Sequence, residues 1–198
     1  MADTLLPAPT IDPDRGVSDP TPRSVVLAGG CFWCVEGVLE RLVGVHAVES
    51  GYAGGSSEDA DYERVCGGTT GHAEVVRVTY DPTVIIFGEI LRVFFATHDP
   101  TTPNRQGNDV GTQYRSAIFW ADAPQRDAAA AYIAQLDAAR VFPRPIVTTL
   151  EPLVAFFPAE AYHQDFVRHN PGHPYIRAAA LPKIAKLCRL FPQRVREG

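Results

Sequence analysis

Two cysteines three positions apart, Cys31 and Cys34, are the residues of this chain whose type and spacing most directly suggest chemistry. They lie in the stretch Gly-Gly-Cys-Phe-Trp-Cys-Val-Glu-Gly, which follows an apolar run and precedes an amphipathic pattern. This order predicts a strand, a tight glycine turn and then a helix, with Cys31 at the helix N-terminus. Unpaired backbone N–H groups and the helix dipole favour a thiolate there, so we expect Cys31 to be a reactive thiol.

A Cys-x-x-Cys pair also occurs in zinc sites and, by coincidence, among the small residues of protein cores. Zinc requires further ligands at suitable spacing, and the two remaining cysteines, Cys66 and Cys188, form no second pair. Val35 follows the pair, at the position where haem attachment would require histidine. The pattern therefore favours a redox-active cysteine without a metal over a structural one.

Candidate proton donors lie far from the cysteines in the sequence. Glu74 is one residue into the clearest strand pattern, residues 73–80. A strand carboxylate faces solvent by default, but if buried it has a raised pKa and can give up a proton. Tyr62 and Tyr114 lie in irregular polar segments, where a tyrosine usually packs its ring and hydrogen-bonds its hydroxyl. Asp109 is by default a turn residue. These residues alone indicate a thiol enzyme of unspecified substrate.

The elements that would position these residues alternate along the chain. Strands are predicted at 24–28, 73–80, 116–120 and 146–150, and helices at 32–42, 86–98, 124–140, 159–169 and 182–190. The long polar loop between the second helix and the third strand has a length that is usual for functional loops. The alternation predicts an α+β fold, a two-layer sandwich in which helices pack on a mixed or antiparallel sheet with a ferredoxin-like core.

The 198 residues carry a formal net charge of −5, and 45% of them are hydrophobic. This length suits one domain with a sizeable core, and the acidic balance argues against a broad nucleic-acid surface. No apolar run approaches the length of a membrane span. Residues 1–23 are interpreted as a flexible, Pro-rich extension that joins no core, followed by a single catalytic domain at 24–198 with a basic C-terminal tail. The extension lacks the pattern of a signal or transit peptide, so we expect a cytoplasmic location, where cysteines stay reduced.

Several longer motifs resemble those of the A-type peptide methionine sulfoxide reductases. They are GCFW at 30–33, GYAGG at 51–55, TGHAE at 70–74, HDPT at 98–101, NRQG at 104–107, QYRS at 113–116 and AEAYHQ at 159–164. The resemblance runs in order from about residue 24 to 176. It implies reduction of the S epimer of methionine sulfoxide, free or protein-bound, since each epimer has its own enzyme. It also implies that no cofactor is bound and that thioredoxin, or dithiothreitol in vitro, is the reductant.

By the same resemblance, Cys31 attacks the sulfoxide sulfur and becomes a sulfenic acid, which a second thiol converts to a disulfide. Phe32 and Trp33 would form the apolar pocket for the methyl group on that sulfur. Many family members have glycine where this chain has Cys34, and they recycle through cysteines in a Gly-rich tail. Cys188 lies in no such setting. Cys34 is preferred as the resolving thiol because closing a short loop costs little, with Cys188 as a second relay.

The resemblance also assigns the proton donors. Glu74, kept protonated by its surroundings, would donate a proton to the sulfoxide oxygen, with Tyr62 and Tyr114 as hydrogen-bond partners and Asp109 beside them. This outweighs the default expectation that Glu74 faces solvent. Two other classes stay open: a general thiol–disulfide oxidoreductase built on the cysteine pair, and a non-enzymatic module that binds its ligand in an aromatic cage.

Overall fold

The computed structural model describes residues 5–196, so the first four residues of the predicted extension and the last two of the predicted tail lie outside the described residues. The strands are β1 Arg23–Gly29, β2 Val45–Ala53, β3 Ala73–Tyr80, β4 Arg105–Gln106, β5 Asp109–Val110, β6 Ser116–Trp120, β7 Thr149–Pro152 and β8 Phe157–Pro158. The helices are α1 Phe32–Leu39, α2 Tyr62–Cys66, α3 Phe87–Thr97, α4 Ala123–Ala138, α5 Phe166–His169 and α6 Leu181–Leu190.

Six strands form one mixed sheet in the order β7-β6-β1-β3-β2-β8. β3 pairs antiparallel with both β1 and β2, β6 pairs antiparallel with β1, and β7 joins β6 in parallel. The segment β1-α1-β2-β3-α3-β6 thus has the spatial order β6-β1-β3-β2, which is the split βαβ arrangement of ferredoxin-like folds. The predicted α+β architecture is confirmed.

The first half of β3 is buried on both faces, and the alternation of its side chains decides which face the Glu74 carboxyl group occupies. Alternation places Val75 in a small apolar cluster on one face, which Leu153 and Phe156 cover. Glu74 and Val76 point to the opposite face, where the helices pack and the main core lies. Glu74 is therefore enclosed beneath the helix layer, and the more open positions of β3, Arg77 and Thr79, lie on the other face.

The turn between β1 and α1 depends on Gly30. Its φ is +90°, a conformation that residues with a side chain rarely adopt. A Cβ on Gly30 would also come within 2.5 Å of the Gln106 side chain. Glycine therefore lets the chain reverse directly from the strand into the helix, and Cys31 follows as the N-cap of α1.

The N-terminal extension differs from its prediction. Leu6 is 1% exposed and belongs to the main core, so the expectation that residues 1–23 join no core is wrong for the described part. The Asp14 carboxylate accepts hydrogen bonds from the Phe87 N–H and the Tyr80 hydroxyl, each at 2.8 Å. Because α3 begins without a side-chain cap of its own, this carboxylate supplies the acceptor that its N-terminus needs.

The predicted helix over 159–169 is wrong as one element. A 3-10 turn at Ala161–His163 and the short α5 are separated by Asp165, whose φ of 52° lies in the left-handed region. The Gln164 side-chain amide forms hydrogen bonds with both the N–H and the carbonyl group of Ser50 on β2. These bonds to the sheet hold the chain out of a continuous helix at this point.

Other element boundaries differ by a few residues. Helix α1 ends at Leu39, short of the predicted residue 42, and β7 lies slightly later in the chain than predicted. Helix α2 occurs where irregular structure was expected. The described part of the basic C-terminal tail is docked, since the Arg196 N–H donates to the Arg41 carbonyl at 2.9 Å.

Candidate active site

The two thiols of the Cys-x-x-Cys pair lie together in the first turn of α1. Both are buried, and the Cys34 N–H donates to the Cys31 carbonyl at 3.1 Å. Burial raises the pKa of the Cys31 thiol, and this outweighs the helix N-terminus, so the expectation of a lowered pKa at Cys31 is wrong. A hydrogen bond from the Cys31 S–H lowers the pKa of Cys34 to about 7. The hydrogen bond between the two sulfurs therefore favours a thiolate on Cys34 over one on Cys31.

The Glu74 carboxyl lies beside the start of α1. Its Oε2 accepts the hydrogen bond of the Phe32 N–H at 3.0 Å, one residue after Cys31. Burial raises the pKa of Glu74 to about 8, and the negative charge of Asp109 adds to the effect. The carboxyl is thus mostly neutral at pH 7, as expected for a proton donor. Its second oxygen is left to carry the proton.

Two aromatic side chains form one wall of the site. Phe32 is buried, and the half-buried Trp33 stacks on Phe166 with centroids 3.8 Å apart and planes 8° from parallel. The Trp33 indole N–H donates to His163 Nδ1 at 3.2 Å. Glu36 holds Phe166 in place by accepting its N–H at 3.3 Å. Tryptophan is therefore fixed on both its face and its edge, which keeps the wall rigid.

Three hydroxyl groups surround the thiols and the carboxyl. Burial raises the pKa of Tyr62, Tyr114 and Tyr175 above the ordinary tyrosine value, so all three are neutral O–H groups near pH 7. The Tyr175 hydroxyl donates to Asp109 Oδ2 at 2.5 Å and lies 4.0 Å from the Cys34 sulfur. These side chains give the site several donors of a kind suited to an oxygen atom.

One cavity of about 170 Å³ brings the predicted residues together. It is lined by Cys31, Phe32, Trp33, Tyr62, Glu74, Asp109, Tyr114 and Tyr175. All the residues predicted for catalysis and substrate binding are in this lining, although they come from five separate parts of the chain. A small polar group next to a methyl group would meet a thiol, a neutral acid and an aromatic wall in this space.

Tyr175 is the residue that sequence reasoning missed. It lies near the end of the stretch that carries the family resemblance, between Pro174 and Ile176, but no local pattern marks it. Only the return of the chain across the site brings its hydroxyl to Asp109 and Cys34.

The remaining cysteines do not line the cavity. Cys188 is exposed on the helix α6, beside the buried Leu187. Cys66 is exposed at the end of α2, and its thiol hydrogen-bonds with Tyr62. Within residues 5–196, no group of three His, Cys, Asp or Glu side chains is arranged to hold a metal ion. The same residues include no helix long and apolar enough to cross a bilayer.

Comparison with known proteins gives a consistent result. The family model described as "Peptide methionine sulfoxide reductase" matches residues 23–194. A peptide methionine sulfoxide reductase MsrA of Deinococcus radiodurans is 53% identical over 174 residues, which covers 88% of this chain and 84% of that protein. The counterpart from Trichodesmium erythraeum is 51% identical over 172 residues and covers 87% of this chain and 97% of its own.

Solved structures show the same likeness. Mxr1 from Saccharomyces cerevisiae in its reduced form superposes with a TM-score of 0.69 at 34% identity, covering 86% of this chain and 94% of that one. Methionine sulfoxide reductase A of Corynebacterium diphtheriae superposes with a TM-score of 0.67, also at 34% identity, over 85% of each chain.

Proposed function

The chain belongs to the peptide methionine sulfoxide reductase family and is an oxidoreductase that reduces methionine sulfoxide, and from this premise we propose how its own residues carry out the reaction. The substrate is the S epimer of methionine sulfoxide, free or in a polypeptide. Cys31 is the nucleophile, Glu74 the general acid and Cys34 the resolving thiol. An enzymatic function removes the aromatic-cage binding module from consideration.

In the first half of the reaction, the Cys31 sulfur attacks the sulfoxide sulfur while the methyl group lies against Phe32 and Trp33. The S=O bond breaks only when its oxygen is protonated, and the neutral Glu74 carboxyl supplies that proton. The Cys31 proton passes to the Cys34 thiolate, which already accepts the hydrogen bond from Cys31. The attack forms a transient bond between the Cys31 sulfur and the substrate sulfur. The protonated oxygen then moves from the substrate sulfur to the Cys31 sulfur as that S–S bond breaks and its electron pair stays with the departing methionine, which leaves Cys31 as a sulfenic acid.

Tyr62 and Tyr114 support the oxygen as it gains charge. Both are neutral hydroxyl donors that line the same cavity as Glu74. Donors fixed in place before the reaction stabilise developing charge without having to reorganise. Asp109 holds Tyr175 in the lining, so its role is to position a hydroxyl group near the thiols.

In the second half, Cys34 attacks the Cys31 sulfenic acid. The S–O bond breaks, a disulfide forms, and the oxygen leaves as water with the Cys34 proton. The position of Cys34 in the same helical turn supports this choice, whereas Cys188 is exposed on the regular helix α6. A dithiol reductant then restores both thiols by exchange. Thioredoxin is the proposed partner in the cell, and dithiothreitol replaces it in vitro.

The observation that carries the proposal is the buried Glu74 carboxyl, which lies in one small cavity with the Cys31 thiol. This burial raises the pKa of Glu74 to about 8. A general thiol–disulfide oxidoreductase does not require such an acid, because a thiolate can leave without being protonated, whereas the sulfoxide oxygen cannot. The test is a single turnover without reductant on each separated epimer. We expect one equivalent of methionine per enzyme from the S epimer, none from the R epimer, and a Cys31–Cys34 disulfide in the mapped peptides.

The Cys31→Ser variant should release no methionine, while the matched variant Cys188→Ser should behave as the unchanged chain. Equal reduction of the two epimers would contradict the proposed stereochemistry. A Cys31–Cys188 bond without any Cys31–Cys34 species would contradict the proposed resolving thiol.

A further inference from the structure

A second and larger cavity, of about 410 Å³, adjoins the site. Asp109 and Tyr175 line both cavities, so the two spaces share a wall. The larger one continues over an apolar surface made by Ala178, Ala179 and Pro182, where the chain leads into α6. Its volume suits a bound side chain together with some of its backbone.

The charge of this second cavity differs from that of the whole chain. The chain carries a net charge of −5 and has only two lysines, Lys183 and Lys186, and both line this cavity. They are three residues apart on α6, so they lie on the same side of the helix. Asp109 is the only acidic residue among the lining residues, and its carboxylate accepts the Tyr175 hydroxyl.

Lys183 lies close enough to the reacting thiols to act on them electrostatically. The main cause of the low pKa of Cys34 is the hydrogen bond from Cys31, and the ammonium of Lys183 lowers it further. Lys183 is itself half-buried, and no described carboxylate within residues 5–196 forms an ion pair with it. A half-buried cation at the edge of an apolar surface is suited to a ligand that is apolar along its length and anionic at its end.

We propose that this second cavity is a subsite for a residue flanking methionine sulfoxide in a polypeptide, and that it selects glutamate. The methylene groups of glutamate would lie against Ala178, Ala179 and Pro182, and its carboxylate would lie near the ammonium of Lys183. The proposal rests on the proposed function and adds a preference among protein substrates to it. Free methionine sulfoxide has no flanking side chain, so the subsite does not affect its reduction.

The test is a competition between peptides in one reaction with dithiothreitol as reductant. Each pentapeptide carries S-epimer methionine sulfoxide at its centre. One of the other four positions, two before the centre and two after it, carries Glu, Gln or Lys. The ratio of their rates of reduction, read by mass spectrometry, equals the ratio of kcat/KM. All the peptides react with the same enzyme, so an effect of Lys183 on Cys34 changes their rates alike and cancels from this ratio.

At one or two of these positions, we expect the Glu peptide to react about 2- to 5-fold faster than the Gln peptide, the range for a partly exposed charge pair. Half-molar salt should reduce this ratio, because it screens exposed charges. Lys183→Gln should abolish the preference, and Lys183→Glu should reverse it in favour of the Lys peptide. The matched control is Arg177→Glu, which makes the same charge change at an exposed residue outside the cavity lining, and it should retain the Glu preference.

Equal rates for the three peptides at every position would overturn the subsite while leaving the proposed function intact. An unchanged Glu preference in Lys183→Glu, or its loss in Arg177→Glu, would also overturn it. Failure of the unchanged chain to reduce any of the peptides or free methionine sulfoxide would instead count against the proposed function.

Discussion

The pH dependence of the chemical step is the most direct test of the proposed acid. Burial raises the pKa of Glu74 to about 8, so close to nine-tenths of the carboxyl is protonated at pH 7. An ordinary glutamate, with a pKa of about 4.3, would be protonated in only about one molecule in 500 at that pH. The protonated form is the proton donor, so the rate should fall as pH rises through 8. Between pH 7 and 9, the protonated fraction falls by about tenfold.

The rising side of the profile comes from the cysteine pair. The pKa of Cys34 is lowered to about 7, so below this pH the Cys31 proton loses its acceptor. We therefore expect a narrow maximum between about pH 7 and 8, with these two groups setting its sides.

The variant to measure is Glu74→Gln. The amide oxygen of its side chain can still accept the hydrogen bond that the Phe32 N–H donates to Glu74 at 3.0 Å. The variant should be slower by about 10²- to 10⁴-fold, the usual contribution of a positioned acid, and its rate should no longer fall above pH 8. The assay is rapid-quench measurement of methionine formed in a single turnover, from pH 5.5 to 9.5. Glu49→Gln, which changes a half-buried strand carboxylate that is paired with Arg77 and lies outside the cavity lining, is the matched control and should keep the original profile.

Two results would contradict the proposed role of Glu74. One is a Glu74→Gln rate within threefold of the unchanged chain. The other is a Glu74→Gln profile that still falls through pH 8, since another group would then set that side.

Three further predictions follow from the same contacts. Cys34→Ser should still release one equivalent of methionine, more slowly because the Cys31 proton loses its acceptor, and should accumulate a Cys31 sulfenic acid that dimedone labels; lack of label would point to another resolving thiol. Tyr175→Phe should slow disulfide formation more than methionine release, because its hydroxyl lies 4.0 Å from the Cys34 sulfur; equal slowing of both steps, measured by rapid quench, would count against this. Leu6→Ala should lower the free energy of unfolding by about 2–5 kcal/mol in denaturant titrations, because the Leu6 side chain is buried. A change below about 0.5 kcal/mol, which is typical of exposed sites, would mean that the extension is not part of the core.

Local patterns in the sequence were sufficient to predict several elements of the fold. The glycine turn before Cys31, the strand at β3 and the helices α3 and α4 follow from residue periodicity and backbone preference, which act over a few neighbours. The order of motifs was equally sufficient to identify the family. The ends of the helices and strands were predicted less accurately. The helix predicted over 159–169 is interrupted at Asp165, because Gln164 forms side-chain hydrogen bonds with a strand that is distant in the sequence.

The protonation of the site and the full set of residues that line it depend on the tertiary structure. Glu74 stands in a strand whose pattern fits a solvent-facing carboxylate, and it becomes an acid because α1 covers that face. Cys31 occupies a position that favours a thiolate, yet its burial raises its pKa. Tyr175 joins the site through a chain return more than a hundred residues later. In each case desolvation or long-range contact sets the property, and neither is encoded in a residue's immediate neighbours.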